Sequence, residues 1–227
     1  MKKLSKILLI SLLAVLLAVG SASALAFLKL SDGTTTIEIQ DNGSGDTSSS
    51  TLGVVTWVGA LGNFTVNIST GVSKDVLGSA TSPIIDLNSV NVGGPGTLTV
   101  SFSDTDFTGS GLMNYDFDIG GTTDGTAAAT SYFDLGNVAF AETTLIGDLG
   151  SLGTGAFAGS DDGTFDLGVD SVAYSLTLVV DLTHAGASDV SSFDTELQAS
   201  SVPEPATMLL LGSGLIGLVG FRRKFIK

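Results

Sequence analysis

The sequence predicts an all-β protein, a two-sheet antiparallel sandwich with a jelly roll among the topologies it admits, flanked by an N-terminal signal helix and a C-terminal transmembrane helix. Three observations predict the sandwich. Residues 27–201 are rich in Thr, Ser, Gly, Asp and Val and nearly devoid of the Glu, Lys, Arg and Gln that populate exposed helix faces. Apolar residues recur at every second position, most clearly where Val172, Tyr174, Leu176, Leu178, Val180 and Leu182 share one face. Turn clusters separate such runs, at Asp41–Asp46, Gly93–Gly96, Gly120–Gly125 and Ser160–Gly163. Strands with one wet face belong to antiparallel sheets rather than to βαβ units.

Residues 1–26 have the three zones of a secretory signal: Lys2, Lys3 and Lys6, an apolar core from Ile7 to Val19, and a small-residue tail ending in Ala24 and Ala26, the two cleavage positions. No cysteine follows, which excludes lipid attachment there. Strands are predicted over 35–40, 54–58, 63–69 (Phe64, Val66, Ile68), 84–92, 97–103 (Leu98, Val100, Phe102), 112–119, 132–140 and 172–182, eight or nine in all. The small residues from Gly147 to Gly159 read as an irregular loop or a flexible excursion. From Ala185 to Ser201 the pattern stops, and the stretch reads as a flexible linker. The expected organisation is therefore a signal peptide (1–26), one β-sandwich ectodomain (27–184), a linker (185–201) and a C-terminal segment (202–227).

The C-terminal segment has a physics of its own. Pro203 and Pro205 flank Glu204, and both prolines forbid a helix through Val202–Pro205. Pro205 suits the first turn of a helix running through the apolar residues that follow. The 16 residues from Ala206 to Phe221 span about 24 Å at 1.5 Å per residue, short against a bilayer core of about 30 Å. The basic stop Arg222, Arg223, Lys224 belongs on the cytoplasmic side, which places the ectodomain outside.

This three-part arrangement, Pro-Glu-Pro, Gly-interrupted apolar helix and terminal Arg cluster, resembles the PEP-CTERM sorting signal of Gram-negative bacteria; Phe225, Ile226 and Lys227 extend past the usual end. The resemblance implies processing by an exosortase, a membrane-embedded transpeptidase-like protease, and a link to exopolysaccharide and biofilm. It implies export across the inner membrane, transient anchoring by the C-terminal helix, and a final place at the cell surface or beyond. Leu30–Thr36, Asn63–Asn67 and Asp86–Val92 resemble, more loosely, an ectodomain type that recurs among such proteins without an assigned activity.

Charge and residue inventory bound the chemistry. The whole chain carries −14, yet between 27 and 201 only Lys29 and Lys74 stand against 22 acids, a formal charge of −20. Such a surface repels phosphate backbones and excludes nucleic acid; it favours divalent cations or basic partners. Cys is absent and His184 is the single histidine, so one chain assembles neither a zinc site nor a Cys/His dyad. His184, just past the longest strand, reads as an exposed strand end, and Trp57 among Val54, Val55 and Val58 as core.

Asp104/Asp106, Asp116/Asp118 and Asp161/Asp162 are the carboxylate pairs. Residues two apart project from the same strand face about 7 Å apart. Glycosidase chemistry needs such a pair in a cleft with aromatic platforms, which one Trp and three Tyr scarcely supply. Calcium suits the oxygens better: Asn114, Asp116 and Asp118 alternate before Gly120, somewhat like the start of an EF-hand loop, although Ile119 stands where that loop requires Gly and Gly125 where it requires Glu. Asp161, Asp162 and Asp166 form a second set. The plainer reading of both is a polar strand face and an acidic turn. No enzyme is predicted. The expected role is structural or interactive within an extracellular polysaccharide matrix, with polysaccharide or other matrix proteins as partners; a calcium-dependent carbohydrate-binding or adhesive module is the alternative, and a hydrolase comes last.

Overall fold

The computed structural model describes residues 26–202 and Ser213. Thirteen strands are formed: β1 Ala26–Ser31, β2 Thr36–Gln40, β3 Val54–Leu61, β4 Phe64–Val72, β5 Gly78–Ser79, β6 Ser82–Gly93, β7 Gly96–Gly109, β8 Leu112–Thr123, β9 Thr126–Asp134, β10 Thr144–Leu152, β11 Gly155–Asp166, β12 Val172–His184 and β13 Val190–Ser201. They make two antiparallel sheets, β10-β9-β12-β7-β1-β2 and β11-β8-β13-β6-β4-β3, with the two-residue β5 against β6. The signal helix expected at the N-terminus lies outside the described residues, and of the expected C-terminal helix only Ser213, which is helical, lies within them. Among the described residues no helix is long and apolar enough to cross a membrane.

The pairing has a simple origin. Strands β6, β7, β8 and β9 lead out, and β10, β11, β12 and β13 return antiparallel along them, as β9·β10, β8·β11, β7·β12 and β6·β13. Wrapping this ribbon places successive pairs in alternate sheets, which is the jelly-roll connectivity. The β1–β2 and β3–β4 hairpins widen the sheets beside β7 and β6.

Alternation decides what is buried. Leu28, Leu30, Leu98, Val100, Phe102, Leu176, Leu178 and Val180 of the first sheet face Val66, Ile85, Leu87, Phe117, Phe193 and Leu197 of the second in one core. Two bulges preserve that parity along the long strands. Near Ser89, at φ 56°, β6 takes an extra residue so that Leu87 and Val90 both point inward. At Thr105–Asp106, with Asp106 at φ 61°, β7 does the same between Phe102 and Phe107.

Four expectations are corrected. The run 132–140 is not one strand: β9 stops at Asp134, and residues 135–143 cross over the outer face of the first sheet. There the Phe140 ring meets Phe27 edge-on at 6.2 Å and lies under the Lys29 ammonium at 4.3 Å, while its amide donates to Ser103 Oγ at 3.1 Å. Residues 147–159 are not a loop but the larger part of β10, a tight turn and the start of β11; in β10, shifts in register break the alternation that would have announced it. The linker 185–201 is instead the β12–β13 turn and β13, a central strand paired on both edges, so the ectodomain runs to Ser201. His184 is not exposed: it is buried, its Nδ1 2.8 Å from the Gly94 carbonyl oxygen and its Nε2 2.7 Å from Ser191 Oγ. The turn that follows folds Ser191 back onto it. Trp57 is half-buried against the core, as the sequence suggested.

Candidate functional site

The 135–143 crossing covers the first sheet, so the outer face of β11, β8, β13 and β6 remains open. Register fixes what stands side by side there. One row across the sheet reads Asp162, Asp116, Gln198, Ile84; the next reads Ser160, Asp118, Glu196, Asp86. Asp194 follows one step along β13, taking the Ser89 amide on Oδ1 at 2.5 Å. Beyond it the face turns neutral, with Thr122, Ser192, Asn91, Asn67 and Thr65 around a shallow groove of about 270 Å³.

The three residues singled out for calcium, Asn114, Asp116 and Asp118, do share this outer face, each exposed on β8. They stand in a line along the strand, about 7 Å per step. Cross-strand neighbours are closer, about 5 Å between Cβ atoms. The tighter grouping is therefore Asp118, Glu196 and Asp86, flanked by Asp116 and Asp194. Among the described residues no three such groups converge on a single metal position.

The remaining carboxylates separate. Asp162 joins the open face opposite Asp116, whereas Asp161 points to the other side, accepting the Tyr115 hydroxyl at 3.4 Å and the Asp148 amide at 3.2 Å. Asp166 lies at the end of β11, so the second calcium set does not assemble. Asp104 is buried in an ion pair with Lys74 Nζ at 2.8 Å, and Ser73 Oγ donates to it at 2.5 Å; Asp106 is bound by the Asn137 side chain.

Like charges facing one another across strands are unfavourable, and the acids record it. Burial, then the Glu196 charge, push the Asp86 carboxyl up to about 6. Burial, then Asp118 and Asp116, raise Glu196; burial, then Asp116, raise Asp118. No basic side chain answers this row: of the domain's two lysines, Lys74 is buried against Asp104 and Lys29 lies on the first sheet. The face can attract and hold cations or cationic groups at its surface. Of the aromatic residues on its strands, Phe117, Phe157, Phe165 and Phe193 turn inward, and only the half-buried Tyr115 borders the face, beside Asn114, Asp116 and Asp162, which leaves little of the stacking platform many sugar sites use.

Sequence reasoning missed Glu196 and Asp86. Glu196 fell in the supposed linker, although Phe193, Thr195, Leu197 and Ala199 alternate there with Asp194, Glu196 and Gln198. That alternation was the available signal. Asp86 fell in a predicted strand, but nothing local pairs it with Glu196.

Comparison with known proteins places the C-terminal segment. A family model of the PEP-CTERM protein-sorting motif matches residues 201–224. The chain therefore carries a PEP-CTERM sorting signal, and this indicates export and exosortase-mediated sorting to the cell surface or beyond. Val202, at the start of the motif, still donates its amide to the Leu112 carbonyl at 3.0 Å, so the signal follows the sandwich without a spacer. Pro203, Glu204, Pro205 and the basic stop lie outside the described residues. No curated protein matches the chain.

Among solved structures, the chain is similar to the adhesin domain of Epf from Streptococcus pyogenes, at 11% identity and TM-score 0.38 over 77% of this chain and 57% of that one. The chain thus spans little more than half of that domain. It is also similar to the carbohydrate-binding module TmCBM61 in complex with β-1,4-galactotriose, at 14% identity and TM-score 0.23 over 64% of this chain and 81% of that one. A third likeness is to TmCBM27, a carbohydrate-binding module with specific mannan recognition, at 11% identity and TM-score 0.25 over 65% and 86%.

Proposed function

We propose that this is a non-enzymatic, exosortase-processed protein of the cell surface or extracellular matrix, with a structural or interaction role tied to exopolysaccharide and biofilm. The observation that carries the proposal is the sorting motif at 201–224, joined directly to the last strand of an acidic β-sandwich. Once the tail is removed, the domain is a rigid, strongly negative body with one open polar face. Signal-peptide cleavage after Ala24 fits this body better than cleavage after Ala26. Ala26 is fully buried in β1, pairs with Asp104 and accepts the Asp41 amide at 2.9 Å, so losing it would remove part of the sheet.

The test is the intact mass of the protein recovered from the envelope and from the medium of the producing cells. A C-terminus between Val202 and Pro205 supports the reading. Retention of Arg222–Lys227 in the membrane fraction would make the helix a permanent anchor and remove the main support for a matrix role.

A second reading rests on the acidic rows of β8, β13 and β6: calcium bridges this face to a polysaccharide or a neighbouring molecule. Millimolar calcium then raises the melting temperature and retains the protein on the producer's own polysaccharide, and EDTA reverses both. An unchanged melting temperature argues against calcium binding at this face.

A further inference from the structure

The sandwich has two chemically different ends. Antiparallel connectivity sends the β1–β2, β3–β4, β6–β7, β8–β9, β10–β11 and β12–β13 turns to one end. Both ends of the described chain, Ala26 and Val202, lie at the other, with the connections 41–53, 73–77, 110–111, 135–143 and 167–171. Large exposed apolar side chains segregate between them. Among the described residues, Leu52, Val76, Leu112, Leu135, Val138 and Val169 stand at the end where the chain enters and leaves, Val190 stands at the turn end, and Val58 and Leu145 lie along β3 and β10. Val169 is 94% exposed at the tip of its loop.

These loops are tied together. The Gly111 amide donates to the Gly168 carbonyl and the Leu167 amide to that of Gly111, which sets the Val169 loop beside Leu112. Leu112 in turn accepts the Val202 amide at 3.0 Å, at the point of exit.

Little chain separates this end from the apolar segments expected in the membrane. Only Pro203, Glu204 and Pro205 separate Val202 from Ala206, the first residue of the apolar run, and an extended chain covers that gap in about 14 Å at most. At the other terminus, Gly20–Leu25 separate Ala26 from the apolar core of the signal sequence. Both membrane-directed segments hang from the end that carries the exposed apolar residues.

We propose that this end is a bilayer-contact surface: while the C-terminal helix is inserted, Val169, Leu112 and neighbouring apolar side chains rest in the headgroup region of a phospholipid bilayer. The domain then stands upright, its acidic face perpendicular to the membrane and Pro203–Pro205 held at the bilayer surface. Asp166 and Asp170 flank Val169 and limit penetration to the interface. The proposal rests on the reading of residues 202–227 as a membrane-inserted sorting signal. It adds that the folded domain itself touches lipid.

The full-length chain has no cysteine, so single labelling sites are clean. Val169→Cys, Leu135→Cys and, at the far end, Ser188→Cys carry an environment-sensitive nitrobenzoxadiazole label in protein reconstituted into phosphatidylcholine vesicles, with and without spin-labelled lipid. The expected result is blue-shifted emission at 169 and 135, largely lost with spin-labelled lipid, and neither effect at 188. Emission at 169 and 135 indifferent to spin-labelled lipid overturns the proposal, and a blue shift without lipid quenching means that a second copy covers the surface instead. Failure to float with the vesicles refutes the inserted-helix reading itself, a result distinct from loss of tip contact. Using two labelled positions keeps the test decisive if one variant does not fold.

Discussion

Replacing Asp86 by Asn should stabilise the protein at neutral pH, and the structure gives the size of the effect. Asp86 lies opposite Glu196 on the open face, with its carboxyl pushed up to about 6 from an ordinary 3.8, by burial and then by Glu196. A gap of about two pH units corresponds to about 3 kcal/mol at roughly 1.4 kcal/mol per unit. The group is only half-buried, so solvent screening leaves about 1–2 kcal/mol. For a carboxylate whose folded value lies above its unfolded one, the penalty is present at pH 7, shrinks as pH falls through 6 and disappears below about 4. Asp86→Asn should therefore raise the melting temperature by about 2–8 °C at pH 7.5 and by roughly a third as much at pH 4.5, where the unfolded carboxyl is still mostly ionised. Urea unfolding at pH 4.5, 6 and 7.5 in calcium-free buffer measures the difference. A variant no more stable than wild type at pH 7.5, or a gain independent of pH, would refute the repulsion between these carboxylates.

Other outcomes follow from the packing. Truncation before Val190, harmless if residues 185–201 were a linker, should prevent folding because it removes a strand paired on both edges; circular dichroism and solubility report it. His184→Ala should cost about 2–3 kcal/mol in urea unfolding, since the Gly94 carbonyl and Ser191 hydroxyl lose their buried partner. Lys74→Met should cost about 3–5 kcal/mol by leaving Asp104 buried and unpaired, and adding Asp104→Asn should restore part of that loss. Gly53→Ala should cost about 1–3 kcal/mol: Gly53 has φ +79°, and a Cβ there would stand 2.2 Å from the Lys74 carbonyl oxygen.

Some of this protein was legible without coordinates. Secondary-structure class follows from composition and from two-residue periodicity, so β2, β3, β4, β6, β7, β8 and β12 were found near their observed positions. The sorting motif was legible because its parts are contiguous and each acts by local physics, proline by blocking a helix and the Arg cluster by its charge. Asn114, Asp116 and Asp118 were correctly assigned to one strand face, since alternation is itself a local property.

What the tertiary structure alone decided are the relations between distant strands. β13 looked like a linker because its inward residues are Ser191, Phe193, Thr195, Leu197 and Ala199, a mixture too polar to read as a core strand. It is a strand because β6 and β8 offer it two open edges. His184 is buried by the turn that follows it, and Asp86, Glu196 and Asp118, far apart in sequence, become neighbours only through the wrapping of the ribbon. The pattern along one strand determines which side chains face water. Which charges face each other across strands, and which loops gather at the end where the chain enters and leaves, depend on hydrogen-bond register between segments more than a hundred residues apart, and no local pattern encodes that.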